Sequence, residues 1–353
     1  DYPRVLELKE RFLRRAFELQ GKADLTSEDF RLFYDEAAAW LRPYALYCVL
    51  RDQFGSGTPS DWTGWEAYDE AKAAAYLDAA AHAEEVGYYY WIQFILDRQL
   101  QAVRSYAEER GVFLKGDLPI GVAPHSVDVW MAPHLFHTEQ SAGAPPDDFA
   151  ADGQNWGFPT YNWERMQEEG DFRWWRQRFE RQARYFHAFR IDHILGFFRI
   201  WEVPRTQRSG LLGHFHPALP YSLEEWQEKL ALPFPIELLT APLVHEDELT
   251  ARLGDSFDDL LDSGYLHSTA LAGLYQLTYG EQADYETEAA QRALGADVAA
   301  VLAELCTETA LIADPYKAGH YHPRIALERS RLFARFPEEL QERWRAVSDD
   351  YYY

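Results

Sequence analysis

The segment Phe189-Arg190-Ile191-Asp192-His193 places a guanidinium, a carboxylate and an imidazole within five residues. On an extended backbone side chains alternate between faces, so Arg190 and Asp192 point to the same side. A neighbouring guanidinium favours the ionised carboxylate, and an ionised, oriented carboxylate is a competent nucleophile toward carbon. The same spacing also suits an ordinary ion pair at a strand end, and the residue types leave both readings open. A second carboxylate, Asp117, closes the run Val112-Phe113-Leu114-Lys115-Gly116-Asp117. His320-Tyr321-His322 offers two imidazoles to a metal ion, but no nearby Cys or carboxylate cluster completes a ligand set, and the stretch reads as a solvated loop.

Two successive units of helix and strand position these carboxylates. From Trp91, the apolar residues Ile92, Leu96, Leu100, Val103 and Ala107 recur at helical spacing, and Gly111 suits a left-handed stop. The run 112–114 then reads as a buried parallel strand with polar residues at its C-terminal end. Further along, Phe172, Trp175, Phe179, Ala183 and Phe186 mark one face of a helix, and 187–191 reads as a strand ending in Asp192 and His193. Helix, strand and carboxylate, twice over, is what a parallel α/β sheet or barrel produces.

Upstream, residues 3–20 and the run from Ser27 through Phe30, Phe33, Ala37 and Leu41 read as helices. Ser60 and Asp61 are candidate caps of a short helix, and an Ala-rich helix over 70–85 continues until Gly87. Residues 131–163 are rich in Gly and Pro and read as a lid or binding loop. Beyond 205 the chain is polar and helical with few clear strands.

The chain has 353 residues and a formal net charge of -24. That length admits two domains or one large α/β barrel. The acidity argues against nucleic acid, since phosphate binding needs clustered cations. The arginine-rich helix over 173–184 accordingly reads as a barrel helix with an exposed basic face. Cys48 and Cys306 are too few for a disulfide framework, and free thiols fit a reducing compartment, the cytoplasm. No stretch approaches the ~18 consecutive apolar residues of a membrane span, and no basic-then-apolar signal segment opens the sequence. The 12 Trp, 22 Tyr and 21 Phe fill cores for the most part, but flat rings also stack on the C–H faces of sugars.

Longer motifs sharpen this picture. Gly143-Ala144-Pro145-Pro146-Asp147, then Gly153-Gln154-Asn155-Trp156-Gly157-Phe158-Pro159-Thr160-Tyr161-Asn162-Trp163, then Phe189-Arg190-Ile191-Asp192-His193 follow one another in order. Lys115-Gly116-Asp117-Leu118-Pro119-Ile120 and Ser126-Val127-Asp128-Val129-Trp130 precede them. Together they resemble the 4-α-glucanotransferases, the amylomaltase or disproportionating-enzyme family of glycoside hydrolases. Gly196-Phe197-Phe198-Arg199-Ile200-Trp201-Glu202-Val203-Pro204 and the insertion after it resemble the larger branch typified by the plant cytosolic disproportionating enzyme.

The resemblance implies an α/β fold, a (β/α)8 TIM barrel with a large, mainly helical insertion, and retaining transfer of α-1,4-glucan segments. It makes Asp192 the nucleophile, with Arg190 and His193 holding that carboxylate and the donor glucose. Asp117 would line the same cleft, while Asp147, Gln154 and Trp156 would belong to the loop that covers the glucan. The implied partners are maltose, malto-oligosaccharides or a glucan polysaccharide, with no nucleic acid, membrane, metal or organic cofactor. The oligomeric state is not readable from the sequence.

The family's general-acid Glu, in a Glu-Asp-Leu-Gly motif, and its third essential Asp have no counterpart here. His245-Glu246-Asp247-Glu248-Leu249 lacks an apolar strand before it and a glycine after it, and is assigned to the insertion surface. The resulting division is 1–204 for the central part of the barrel with a helical subdomain and the 131–163 lid, 205–345 for the insertion, and 346–353 for the start of a return to the barrel. On this reading the chain is an incomplete central portion of a larger enzyme, with the first barrel strand preceding Asp1 and the acid following residue 353, and is inactive alone. A non-catalytic glucan-binding protein and an α-glucan hydrolase are the alternatives.

Overall fold

Ser27 accepts a hydrogen bond from the Phe30 amide at 3.1 Å and so starts the helix Glu28–Phe54, as its capping chemistry predicts. In the computed structural model, which describes residues 1–352, contacts divide the chain into two units. The first comprises Asp1–His137 and Tyr161–His193, and the second comprises Thr138–Thr160 and the residues from Ile194 onward. The grouping of 138–160 with the later residues crosses the division at 204 and 205 read from the sequence. Tyr353, the last residue of the segment read as a return to the barrel, lies outside the described residues.

In the first unit, Glu28–Phe54 packs against the helix Ala83–Glu108, with Phe94 held between Phe30 and Phe33 at ring-centre distances of 5.5 and 5.6 Å. Two helix boundaries differ from the sequence reading. The Ala-rich stretch forms only Glu70–Asp78, capped by Asp69, while Ser60 and Asp61 lie in a single turn, Pro59–Asp61. Gly87 sits inside Ala83–Glu108 and does not end a helix: a Cβ there would lie 3.0 Å from Leu25 Cδ1, so its smallness serves close packing.

Gly111, at φ 65°, follows the end of Ala83–Glu108 in the expected left-handed conformation. The strand after it is Lys115–Leu118, displaced from the expected 112–114, and Val112 and Phe113 are exposed. The Val112 amide still donates to Ala107 O at 2.9 Å, which folds this segment back on the helix end and delays the strand. Lys115–Leu118 pairs in parallel with Ala188–Ile191. His187 secures the entry to both strands, its Nδ1 accepting from the Leu114 amide at 3.0 Å and its Nε2 lying 2.8 Å from Glu108 Oε1.

The helix Arg173–Tyr185 feeds Ala188–Ile191, and its arginines fasten it down rather than leaving a free basic face. Arg178 donates to Pro119 O at 3.0 Å and Arg181 to Glu36 O at 3.2 Å. Asp97, 4% exposed, accepts from Arg184 Nε at 2.7 Å, Tyr185 Oη at 2.8 Å and Gln101 Nε2 at 2.6 Å. A ladder of rings, Trp175 to Phe179 at 5.9 Å and Phe179 to Phe189 at 5.4 Å, ends on the strand itself.

The second unit contains an antiparallel sheet in the order Gln154–Asn155, Gln140–Ala144, Ile200–Pro204, His214–His216. The Gly/Pro-rich segment 131–163 is therefore partly strand. Gly143 is a glycine because the strands close on it: a Cβ would lie 2.1 Å from Gln154 O. Two three-stranded sheets follow, one of Tyr221–Ser222, Leu311–Ala313 and His320–Pro323, the other of Leu243–His245, Leu266–Ser268 and Leu274–Leu277. Residues 205–345 are thus mixed in structure, with strands too short to show a two-residue period. The expectation that no apolar strand precedes His245 also fails, since Leu243 and Val244 are buried in one. Helices Leu223–Leu230 and Glu338–Tyr352 stack Trp226 on Trp344 at 5.9 Å.

Among the described residues no sheet closes on itself, and no helix is long and apolar enough to cross a membrane. Because Asp97 gathers three donors in a buried place, Asp97→Ala is expected to destabilise the first unit by about 3 kcal/mol, leaving the Tyr185 hydroxyl unpaired and the Arg184 guanidinium held only by Glu36 at 2.9 Å. Urea unfolding measures this, and a loss below about 0.5 kcal/mol would show that Asp97 does not hold the helix.

Candidate active site

The parallel register sets Asp117 opposite Arg190 and Leu118 opposite Ile191. Arg190 Nε donates to Asp117 Oδ1 and its Nη2 to Asp117 Oδ2, each at 2.6 Å, a two-pronged contact. The same Nη2 lies 3.3 Å from Asp192 Oδ1. Arg190 therefore serves two carboxylates, and its fuller attachment is to Asp117 rather than to the Asp192 two residues on. The Asp192 amide donates to Leu118 O at 3.0 Å, which ties the residue to the neighbouring strand. His193 follows at φ 48°, a left-handed conformation uncommon for a residue with a side chain, so the chain turns sharply right after Asp192.

Local packing aims these groups. Phe189 turns to the ring ladder, and strand alternation sends Arg190 to the opposite face. Gly116 lets the strand lie under Phe186, whose ring would be 2.7 Å from an added Cβ. The Asp117, Arg190 and Asp192 side chains are 59%, 57% and 47% exposed, so all three reach solvent. The Arg190 hydrogen bonds hold the Asp117 carboxyl below the usual carboxylate range and reciprocally raise the guanidinium.

The upstream motif supports this face. Ser126 caps the short helix Val127–Met131, and Asp128 Oδ1 accepts from Trp174 Nε1 at 3.0 Å.

Asp117, Arg190, Asp192 and His193 belong to the first unit, while Asp147, Gln154 and Trp156 belong to the second. Trp156 Nε1 donates to Gln154 Oε1 at 2.9 Å, and its ring stacks near Phe158 at 5.9 Å and 26°. The Trp156 amide donates to Ala142 O at 2.9 Å, which anchors the loop on the sheet. Asp147 Oδ1 accepts from the Phe149 and Ala150 amides at 2.8 and 2.6 Å, so this carboxylate shapes its own turn.

The sequence reading misses one buried polar cluster in the second unit. His322 lies on the strand His320–Pro323 and is fully buried, not in a solvated loop, because that strand is paired on both sides. His214 and Asp314 stand beside it, supplying the carboxylate that the sequence appeared to lack. Burial pushes the His214 imidazole well below its ordinary value and His322 down to about 4. The His-x-His spacing at 320–322 was the available signal, and only the fold shows that His214 and Asp314 accompany one of the pair.

Arg190→Gln removes the charge that favours the Asp117 carboxylate. Its folded-state value lies below the unfolded one, so the ion pair stabilises at neutral pH and its contribution is lost as pH falls through the folded value. A carboxyl-selective NMR titration is expected to show Asp117 protonating at higher pH in Arg190→Gln than in the parent, and coincident curves would refute the coupling.

Comparison with known proteins bears on this geometry. Residues 1–314 match the sequence profile of the 4-alpha-glucanotransferase family of glycoside hydrolases. The rice (Oryza sativa subsp. japonica) 4-alpha-glucanotransferase DPE2 is 35% identical over 100% of this chain and 38% of its own length. The 4-alpha-glucanotransferase of Aquifex aeolicus is 34% identical over 61% of this chain and 44% of its own. The solved amylomaltase of Streptococcus agalactiae in complex with acarbose superposes with a TM-score of 0.56 at 29% identity, covering 62% of this chain and 45% of that one. The chain thus spans 38% to 44% of these curated relatives. A profile match over most of its residues, together with a relative 35% identical over the whole chain, places the chain in the 4-alpha-glucanotransferase family.

Proposed function

We propose that this chain carries the nucleophile of a 4-α-glucanotransferase that moves α-1,4-glucan segments from donor to acceptor sugars by a retaining double displacement. The observation that carries the reading is Asp192, solvent-reaching at the C-terminal end of a parallel strand, with the Arg190 guanidinium against it. In the first step an Asp192 carboxylate oxygen attacks C1 of the donor glucose, the glycosidic bond breaks, and a covalent glycosyl-enzyme forms. In the second step an acceptor hydroxyl displaces the aspartate and restores the original configuration. Arg190 and His193 hold the nucleophile and the donor ring.

The chemistry also needs a protonated carboxyl roughly 5–5.5 Å from the nucleophile to donate to the leaving oxygen. Asp117 is unsuited to that part, because Arg190 occupies both of its oxygens and keeps it ionised. Its role is to fix the guanidinium and line the cleft, and the acid is a different residue.

The loop carrying Asp147, Gln154 and Trp156 covers the glucan, Trp156 presenting its ring and Asp147 setting the turn. Support for a sugar ligand comes from the acarbose held by the amylomaltase relative. The paired strands belong to a (β/α)8 barrel, with residues beyond 205 as its insertion. Two free buried thiols, Cys48 and Cys306, favour a cytoplasmic location.

Incubating the full-length protein with maltotriose is expected to release glucose together with glucans longer than the substrate. Asp192→Asn should lower turnover by at least about 10³-fold while retaining sugar binding, since shape survives and the attacking charge does not. Near-normal turnover in that variant would overturn the assignment, and products that are only shorter than maltotriose would make the enzyme a hydrolase. Trp156→Ala is expected to raise KM for maltotriose more than it lowers kcat, and an unchanged KM would remove the ring from the glucan path.

A further inference from the structure

Within the second unit, His214 is almost fully buried, and neither of its ring nitrogens has a hydrogen-bond partner. Glu202 Oε2 stands 3.7 Å from its Nε2, too far for a hydrogen bond. An unpaired buried imidazole is costly, and such a group in a folded protein calls for a bound water, an ion or a functional role. Its surroundings favour an ion. His322 stacks beside it at 4.2 Å and 21°, and Asp314 Oδ2 lies 2.9 Å from His322 Nε2. One ligand atom from each of His214, Asp314 and His322 falls within 4.8 Å of the others.

We propose that His214, His322 and Asp314 form a binding site for one divalent transition-metal ion of the zinc class. Two imidazoles and one carboxylate match the donor set of zinc, whereas calcium and magnesium favour all-oxygen shells. Metal–ligand distances of about 2.0–2.2 Å in a tetrahedral arrangement place ligand atoms about 3.4 Å apart. To present both imidazoles to one ion, the His214 ring would turn out of its stack on His322, which breaks no hydrogen bond, and the 2.9 Å His322–Asp314 contact would open.

The supporting shell is already built. Asp314 Oδ1 accepts from the Tyr316 and Lys317 amides at 2.8 and 2.6 Å, leaving Oδ2 directed at the imidazoles. Tyr351 Oη lies 2.7 Å from His322 Nδ1, the outer hydrogen bond that orients a ligating imidazole by its second nitrogen. On binding, the ion takes His322 Nε2 and Asp314 Oδ2 as ligands, and the neutral His322 imidazole keeps its single proton on Nδ1, directed at Tyr351 Oη.

The ion would join separate pieces of the unit. His214 belongs to the four-stranded sheet, His322 to the three-stranded sheet of 221–222, 311–313 and 320–323, and Asp314 follows one strand of the latter. A clip between sheets stabilises the fold and takes no part in glucan chemistry.

The test uses purified protein stripped with EDTA, desalted, and given ZnCl2 or CoCl2. One equivalent of zinc should survive a second desalting, the melting temperature should rise by about 5 °C, and the cobalt form should show the visible bands of a four-coordinate nitrogen and oxygen site. His214→Leu, which removes an unpaired buried polar group and breaks no hydrogen bond, and Asp314→Asn should each weaken zinc binding by at least about 10-fold. X-ray absorption of the zinc form of the unaltered protein should give two imidazoles in the first shell. Failure to retain zinc, unchanged retention in either folded variant, or a first shell without two imidazoles would overturn the proposal.

Discussion

One guanidinium held between two carboxylates sets the charge of the site, and the rest of the first unit exists to put it there. Arg190 reaches Asp117 with both prongs only because Lys115–Leu118 and Ala188–Ile191 pair in this parallel register. Slipping one strand by a single residue would send Arg190 to the opposite face, where Phe189 now meets Phe179. The register is enforced from below. Arg184 and Tyr185 anchor on buried Asp97, His187 joins the helix end to both strands, and Gly116 admits the Phe186 ring.

The second unit solves a different problem, holding a loop rich in small and aromatic residues in one shape. Its central strand, Gln140–Ala144, is flanked by Ile200–Pro204 and by the short Gln154–Asn155. Asn155 then fixes both sides of the turn, its Nδ2 donating to Gln207 O at 2.6 Å and its Oδ1 accepting from the Gly157 amide at 2.8 Å. Trp156 is thereby presented from a backbone already committed to hydrogen bonds. A ring that meets a ligand from such a support loses little conformational freedom on contact, which is how a surface aromatic becomes an effective stacking platform.

Where side-chain chemistry acts locally, the sequence was legible. Ser27 could be read as a cap and Gly111 as a left-handed stop because each acts within a few residues of itself. The helix and strand before Asp192 were legible from the ring spacing of Phe172, Trp175 and Phe179. What escaped reading depends on residues distant in sequence. Gly87 looked like a stop because a glycine that accommodates Leu25 is indistinguishable, in sequence, from one that ends a helix. The strands beyond 205 are mostly two to four residues long, shorter than any alternation needs to become visible. His322 was taken for a solvated residue because its partners come from positions 214, 314 and 351. The candidate nucleophile was therefore readable as a residue, while Arg190's attachment to Asp117 across the sheet was not.

That attachment also constrains the chemistry. A retaining displacement needs two carboxyl groups with opposite proton occupancy in the same pH range, a separation produced by giving them opposite environments. Arg190 is bound by both oxygens of Asp117 and lies 3.3 Å from Asp192, and it holds Asp117 in the charged form, so Asp117 does not supply the contrast. In the proposed reaction the proton donor would therefore need surroundings other than those of Arg190, apolar enough to keep a carboxyl protonated near neutrality. A barrel of the kind proposed would meet that requirement by placing the two groups on different strands, because each strand end can be given its own neighbours.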